Sequence, residues 1–129
     1  MNHPTDWSRL RELAQDRRDS LGQRLAEAAT LRDAARQKLE MLVDYRREYD
    51  TRLSQSALGG IGAEKLRSYR QFLANLERAI DQQTEALGLA QERVADAQQV
   101  WRGEQRRVDQ KLTDEFSSRL ALTPGAGDD

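Results

Sequence analysis

The stretch SQSALGGIGAEK, residues 54–65, carries Gly59, Gly60 and Gly62 and is the one clustered helix breaker between Pro4 and Pro124. A proline inside a helix costs about 3 kcal/mol and a glycine about 1 kcal/mol relative to alanine. A proline-free span interrupted once by clustered glycines therefore predicts two long helices, residues 6–55 and 63–120, joined by a turn over 56–62. Gly22, Gly88 and Gly103 stand alone, which a helix tolerates. Thr5 or Asp6 supplies a side-chain oxygen to cap the first helix. Residues 1–5 are expected to form a flexible N-terminus, and 121–129, LTPGAGDD preceded by Ala121, a disordered tail.

Outward from the glycines, the apolar residues repeat every seven positions. Trp7, Ala14, Leu21, Ala28, Ala35, Leu42 and Tyr49 make an unbroken row on the first arm, and Leu66, Leu73, Ile80, Leu87, Val94, Trp101 and Val108 make one on the second. Such rows arise when helices bury one stripe against each other. The companion position is less regular. Leu10, Leu25, Leu31, Leu39, Tyr45 and Leu53 serve on the first arm with Arg17 and Arg24 intruding, while the second arm offers Tyr69, Leu76, Gln83, Ala90, Ala97 and Glu104. Beyond Val108 the spacing changes to Leu112, Phe116 and Leu120, a local departure from the heptad. A short linker brings helices back antiparallel, since parallel ones need a long return connection. The fold class expected is all-α: an antiparallel two-helix coiled-coil hairpin over 6–120, a single stalk-like rod roughly 75–85 Å long. Tyr49 should lie level with residue 70, and Trp7 close to Leu112.

Composition agrees with an elongated shape. Only 37% of the 129 residues are hydrophobic and 33% are charged, too few apolar side chains for a compact interior of ordinary size. The 21 basic and 22 acidic residues nearly cancel and are interleaved, which argues against nucleic acid as a partner. No cysteine is present, so disulfides and thiolate metal sites are excluded. No apolar run is long enough to cross a bilayer, and a cytoplasmic location is expected.

Catalytic chemistry finds little support. His3 is the single histidine and precedes the first helix, without an orienting partner. The glycines of LGGIG lack the Gly-Lys-Ser/Thr ending of a phosphate cradle and read as a turn. Asp44 with Glu48, and Asp114 with Glu115, read as solvated helix charges and not as a cation site. No enzyme activity, metal or cofactor is expected, and recognition by surface remains.

Four of the aromatic residues, Tyr45, Tyr49, Tyr69 and Phe72, crowd around the turn. Phe72 and Ala79 fall one residue before the Leu73 and Ile80 row, on its flank. Tyr45, Phe72, Leu76 and Ala79 are thus expected to form a partly exposed strip, and exposed aromatic strips commonly mark partner sites. Filling of the seam is the alternative.

The segments QKLEMLVDYRREYDTRL (37–53), GGIGAEKLRSYRQFLANLERAIDQQ (59–83), VADAQQVW (94–101) and EQRRVDQKLTDEF (104–116) resemble the FliJ family of bacterial flagellar type III export proteins. The YxxEY, Gly-rich turn and YxxFLxxLExAI elements occur in the family's order. The resemblance implies a cytoplasmic, non-enzymatic monomer, peripherally associated with the inner membrane at the flagellar base. Its implied partners are the hexameric flagellar export ATPase, the cytoplasmic linker of the membrane export-gate protein, and export chaperones that it escorts. It places the gate-binding patch on Leu42, Tyr45, Tyr49, Phe72, Leu76 and Ala79. The open end of the hairpin, with Arg9, Arg11, Arg106, Arg107 and Lys111, would face the ATPase. Lys38 stands where the family usually has an amide, Gln83 where a histidine can occur, and the second helix is shorter than usual by roughly 20 residues, or about 30 Å. A generic coiled-coil spacer or homo-oligomeric scaffold is the competing reading of the residues alone.

Overall fold

The computed structural model describes the backbone of residues 4–122 and the side chains of 7–121. His3, the side chains of Thr5 and Asp6, and the tail from 123 onward lie outside the described residues. The fold is all-α: two long helices, α1 (Pro4–Leu58) and α2 (Ala63–Leu122), pack against each other antiparallel. Among the described residues there is no strand.

α1 begins at Pro4, two positions ahead of the expected start, because the first turn of a helix has no use for the N–H that proline lacks. It also runs three residues past the expected end at 55. Ser56, Ala57 and Leu58 contain no breaker, so the helical ladder continues until the glycines. Gly59 N–H still donates to the Gln55 carbonyl at 3.3 Å, and Gly60 N–H donates to the Ala57 carbonyl at 3.4 Å. Gly60 then takes φ = 79°, the left-handed conformation that ends helices and that a Cβ disfavours. α2 opens with Leu66 N–H donating to the Gly62 carbonyl at 3.1 Å. The interhelix segment is therefore residues 59–62, not 56–62.

Packing groups the residues into two compact units: Glu27–Val94, and Met1–Ala26 with Ala95–Asp129. In the first, which holds the turn, Leu76 and Ile80 are buried, with Val94 at its limit. The Gln83 amide donates to the Ala35 carbonyl at 3.0 Å and so pairs two seam positions across the helices. In the second, Trp101 lies over Gly22, where the missing side chain makes room: a Cβ built there would sit 3.7 Å from the indole Nε1. Arg17 Nε approaches Glu104 Oε1 at 3.2 Å, and the Arg119 guanidinium lies 4.6 Å from the centre of the Trp7 ring.

Both seven-residue rows that begin at Trp7 and Leu66 face inward throughout. The companion row of α2 also faces inward, its polar members Gln83 and Glu104 included. The companion row of α1 requires correction. Leu10, Leu31 and Tyr45 point outward, with exposures of 57, 61 and 48%. The positions that share the seam with Leu25, Leu39 and Leu53 are Arg18, Arg32 and Arg46, all half-buried, so leucine and arginine alternate along this row. Arginine fits there because its aliphatic stem covers apolar surface while the guanidinium reaches water. The Arg32 head group, for example, bonds outward to Asp33 at 3.1 Å. Leu112, Phe116 and Leu120, the residues that break the heptad, are exposed at 42, 65 and 60%.

Candidate functional site

In the unit that contains the turn, the four crowded aromatic residues form one connected cluster. Tyr49 is its centre: its ring stacks on Phe72 at 4.2 Å between centroids and meets the edge of Tyr69 at 5.5 Å. Tyr45 closes the group, 6.0 Å from Tyr49 and 6.1 Å from Phe72. Their placement follows from the heptad. Tyr49 and Tyr69 belong to seam rows, Phe72 flanks the seam on α2, and Tyr45 flanks it on α1. Each such ring pair adds about 0.5–1.5 kcal/mol beyond the area it buries, so the cluster both holds this end of the helix pair together and fixes the orientation of Tyr45.

The six residues of the patch expected near the turn therefore divide by depth. Tyr45 is the exposed member, Phe72 and Ala79 are half-buried beside it, and Leu42 and Tyr49 are half-buried in the seam. Leu76 is only 7% exposed, which corrects its expected place in an exposed strip: it sits on the seam itself and supports the surface from beneath. The accessible surface instead continues along α1 through Met41, 66% exposed, and Leu31. Hydrophobicity at seven-residue spacing hid these positions, because a leucine on the flank and a leucine in the seam look alike in a sequence.

In the other unit, Arg9, Arg11, Arg106, Arg107 and Lys111 are all exposed. Arg11, Arg107 and Lys111 line one cleft together with Trp7, Leu10 and Leu112, whereas Arg9 and Arg106 are not among its lining residues. Arg107 also lies 3.8 Å from Glu104, whose side chain, 12% exposed, is shared with Arg17. The sequence marks this end by its cations. The structure adds apolar surface to it: Leu10, Leu13, Phe116 and Leu120 are each more than half exposed. The four-residue spacing of Leu112, Phe116 and Leu120 was the signal available in the sequence.

Among the described residues, no group of three or more His, Asp or Glu side chains is placed to hold a metal ion. Asp44 faces Arg47 at 3.8 Å, and Asp114 accepts from Gln110 at 3.2 Å. No described helix is long and apolar enough to cross a membrane.

The family model described as Flagellar FliJ protein matches residues 6–109. The chain is 29% identical over 134 positions to the Flagellar FliJ protein of Salmonella typhi and 28% identical to that of Escherichia coli strain K12, in each case covering 88% of this chain and 91% of the relative. Since 88% of 129 residues is about 114, some 20 of the 134 aligned positions have no counterpart here. No solved structure matches the chain significantly. The match of the family model over most of the two helices makes this chain a member of the flagellar FliJ protein family.

Proposed function

We propose that the protein is a non-enzymatic adaptor of flagellar protein export, acting as a monomer between the hexameric export ATPase and the cytoplasmic linker of the membrane export-gate protein. It works in the cytoplasm against the inner face of the membrane at the flagellar base and escorts export chaperones there. Family membership supplies the flagellar setting. The observation that carries the adaptor reading is the exposed Tyr45, held in place by the rings of Tyr49 and Phe72 and flanked by half-buried Ala79. A rigid aromatic side chain buries large area on binding at small entropic loss, and such anchors dominate many interfaces. In this reading Tyr45, Phe72 and Ala79 touch the gate linker, while Leu42, Tyr49 and Leu76 set their positions.

The other unit is assigned to the ATPase ring. The cleft lined by Arg11, Arg107 and Lys111 beside Trp7, Leu10 and Leu112 also holds Glu104, Asp114 and Glu115, so it offers an apolar floor with cations in excess over acids, suited to a partner whose rim is acidic. Arg9 and Arg106 contribute long-range attraction only.

Complementation tests the adaptor reading. In a strain lacking this protein, the wild type should restore swimming, and the Tyr45→Ala variant should swim poorly while keeping the wild-type helical circular dichroism signal. Full swimming by Tyr45→Ala at equal protein level would remove Tyr45 from the gate contact.

A further inference from the structure

Along one side of the seam the charge nearly vanishes. The heptad sets Leu31, Lys38 and Tyr45 in the row that flanks the seam on α1, and Phe72, Ala79 and Ala86 in the matching row of α2. In an antiparallel pair like positions face each other, and the Tyr45–Phe72 ring contact at 6.1 Å puts the two rows on the same side. The rows just outside them hold Ala34 and Met41 on α1 and Asn75, Gln82 and Leu89 on α2, all uncharged, with Met41 and Leu89 66 and 58% exposed; Glu27 and Glu48 close the α1 row at its two ends. The opposite flank is ordinary for a chain that is 33% charged, with Arg36, Asp50, Arg70 and Glu77.

Lys38 is the one charge within this strip. The residues three and four positions from it are Ala34, Ala35, Met41 and Leu42, so no carboxylate of its own helix can reach it. It takes part in no ion pair among the described residues. A lone cation in the middle of an apolar surface calls for a carboxylate on whatever covers that surface, because closing the interface over an unpaired ammonium would be penalised by its lost hydration.

We propose that this strip docks a single amphipathic helix of a partner protein, which lays its apolar face on Leu31, Met41, Tyr45 and Leu89 and sets an Asp or Glu against Lys38. From Leu31 to Tyr45 the strip extends about 21 Å, so the docked helix has about four turns. A second copy of this chain does not fit. A two-fold contact centred on the strip would bring Lys38 near its own symmetry mate, while the nearest acids of that row, Glu27 and Glu48, stand at the strip's two ends. The inference rests on the gate reading, since Tyr45, Phe72 and Ala79 belong to both. It adds the far end of the strip and the charge of the ligand.

The absence of cysteine makes the test direct. Single substitutions Leu31→Cys, Met41→Cys and Leu89→Cys set one thiol each along the strip, and Arg36→Cys sets one on the opposite flank. Alkylation rates are measured on the full chain alone and saturated with the gate-protein linker. All three strip thiols should slow about tenfold or more, with Arg36→Cys unchanged. In a titration Lys38→Glu should weaken binding about tenfold, while Lys38→Arg should not. Protection of Met41→Cys alone, with unchanged rates at Leu31→Cys and Leu89→Cys and a neutral Lys38→Glu, would overturn the four-turn helix yet leave the gate contact standing. Binding with no strip thiol protected would overturn both. Failure of the wild type to bind the linker would overturn the gate reading and, with it, this inference.

Discussion

Leu31 and Leu76 are chemically identical, yet their truncation should differ severalfold in effect. Leu76 is 7% exposed and Leu31 is 61% exposed. Leu→Ala deletes three carbons, and a buried methylene is worth about 0.8 kcal/mol. For Leu76 nearly the whole of that is lost, about 2–2.5 kcal/mol, with a cavity contribution that brings the expected loss to about 3 kcal/mol. For Leu31 only about two-fifths of the side chain is covered, so the transfer loss is at most about 1 kcal/mol, and alanine's better helix propensity reduces it further. Urea unfolding followed by circular dichroism at 222 nm measures both variants against the wild type, with the slope expected to stay constant. Losses equal within about 0.5 kcal/mol would mean that Leu31 lies in the seam, and the exposed strip would not exist.

Other substitutions probe the turn, the register and the oligomeric state. Gly60→Ala should lower stability by about 1 kcal/mol because φ is +79° there, whereas Gly88→Ala, in an open helical position, should raise it by a similar amount; opposite shifts of the thermal midpoint check the pair. Gln83→Leu exchanges a polar seam residue and its bond to Ala35 for apolar burial, so the urea midpoint should rise by about 0.5–1 kcal/mol equivalent while the helices lose a device that fixes their register. Disulfide trapping of Ala35→Cys with Gln83→Cys should succeed in the wild-type background, and failure there would contradict the pairing. Sedimentation equilibrium across micromolar concentrations should give a monomer, and a concentration-dependent dimer would favour the scaffold alternative.

The parts of the fold that were legible in the sequence are those where hydrophobicity and burial coincide. The rows from Trp7 and from Leu66 are apolar at every step and inward at every step, and the glycine cluster marks the turn to within a few residues. The second row of α1 is not legible in the same way, for a definite reason. Arg18, Arg32 and Arg46 occupy the seam by their stems, which a hydrophobic count scores as outward, while Leu10, Leu31 and Tyr45 offer apolar side chains one position away. The same ambiguity affected the candidate site. Tyr45 and Phe72 were found from their crowding, but whether Tyr45 or Leu76 carried the exposed surface depended on a rotation of one residue about each helix. The apolar part of the other unit was visible in the spacing of Leu112, Phe116 and Leu120, but its exposure required the structure, because a row without a partner reads the same as a row with one.

Whether Tyr45 anchors the export-gate linker is decided by calorimetric titration of that linker into the wild type and into Tyr45→Ala. The wild type should bind saturably, and removing the one exposed ring of the cluster should weaken binding about tenfold or more, since truncating an interface anchor typically costs about 2 kcal/mol. Equal affinity for the two proteins would contradict that role.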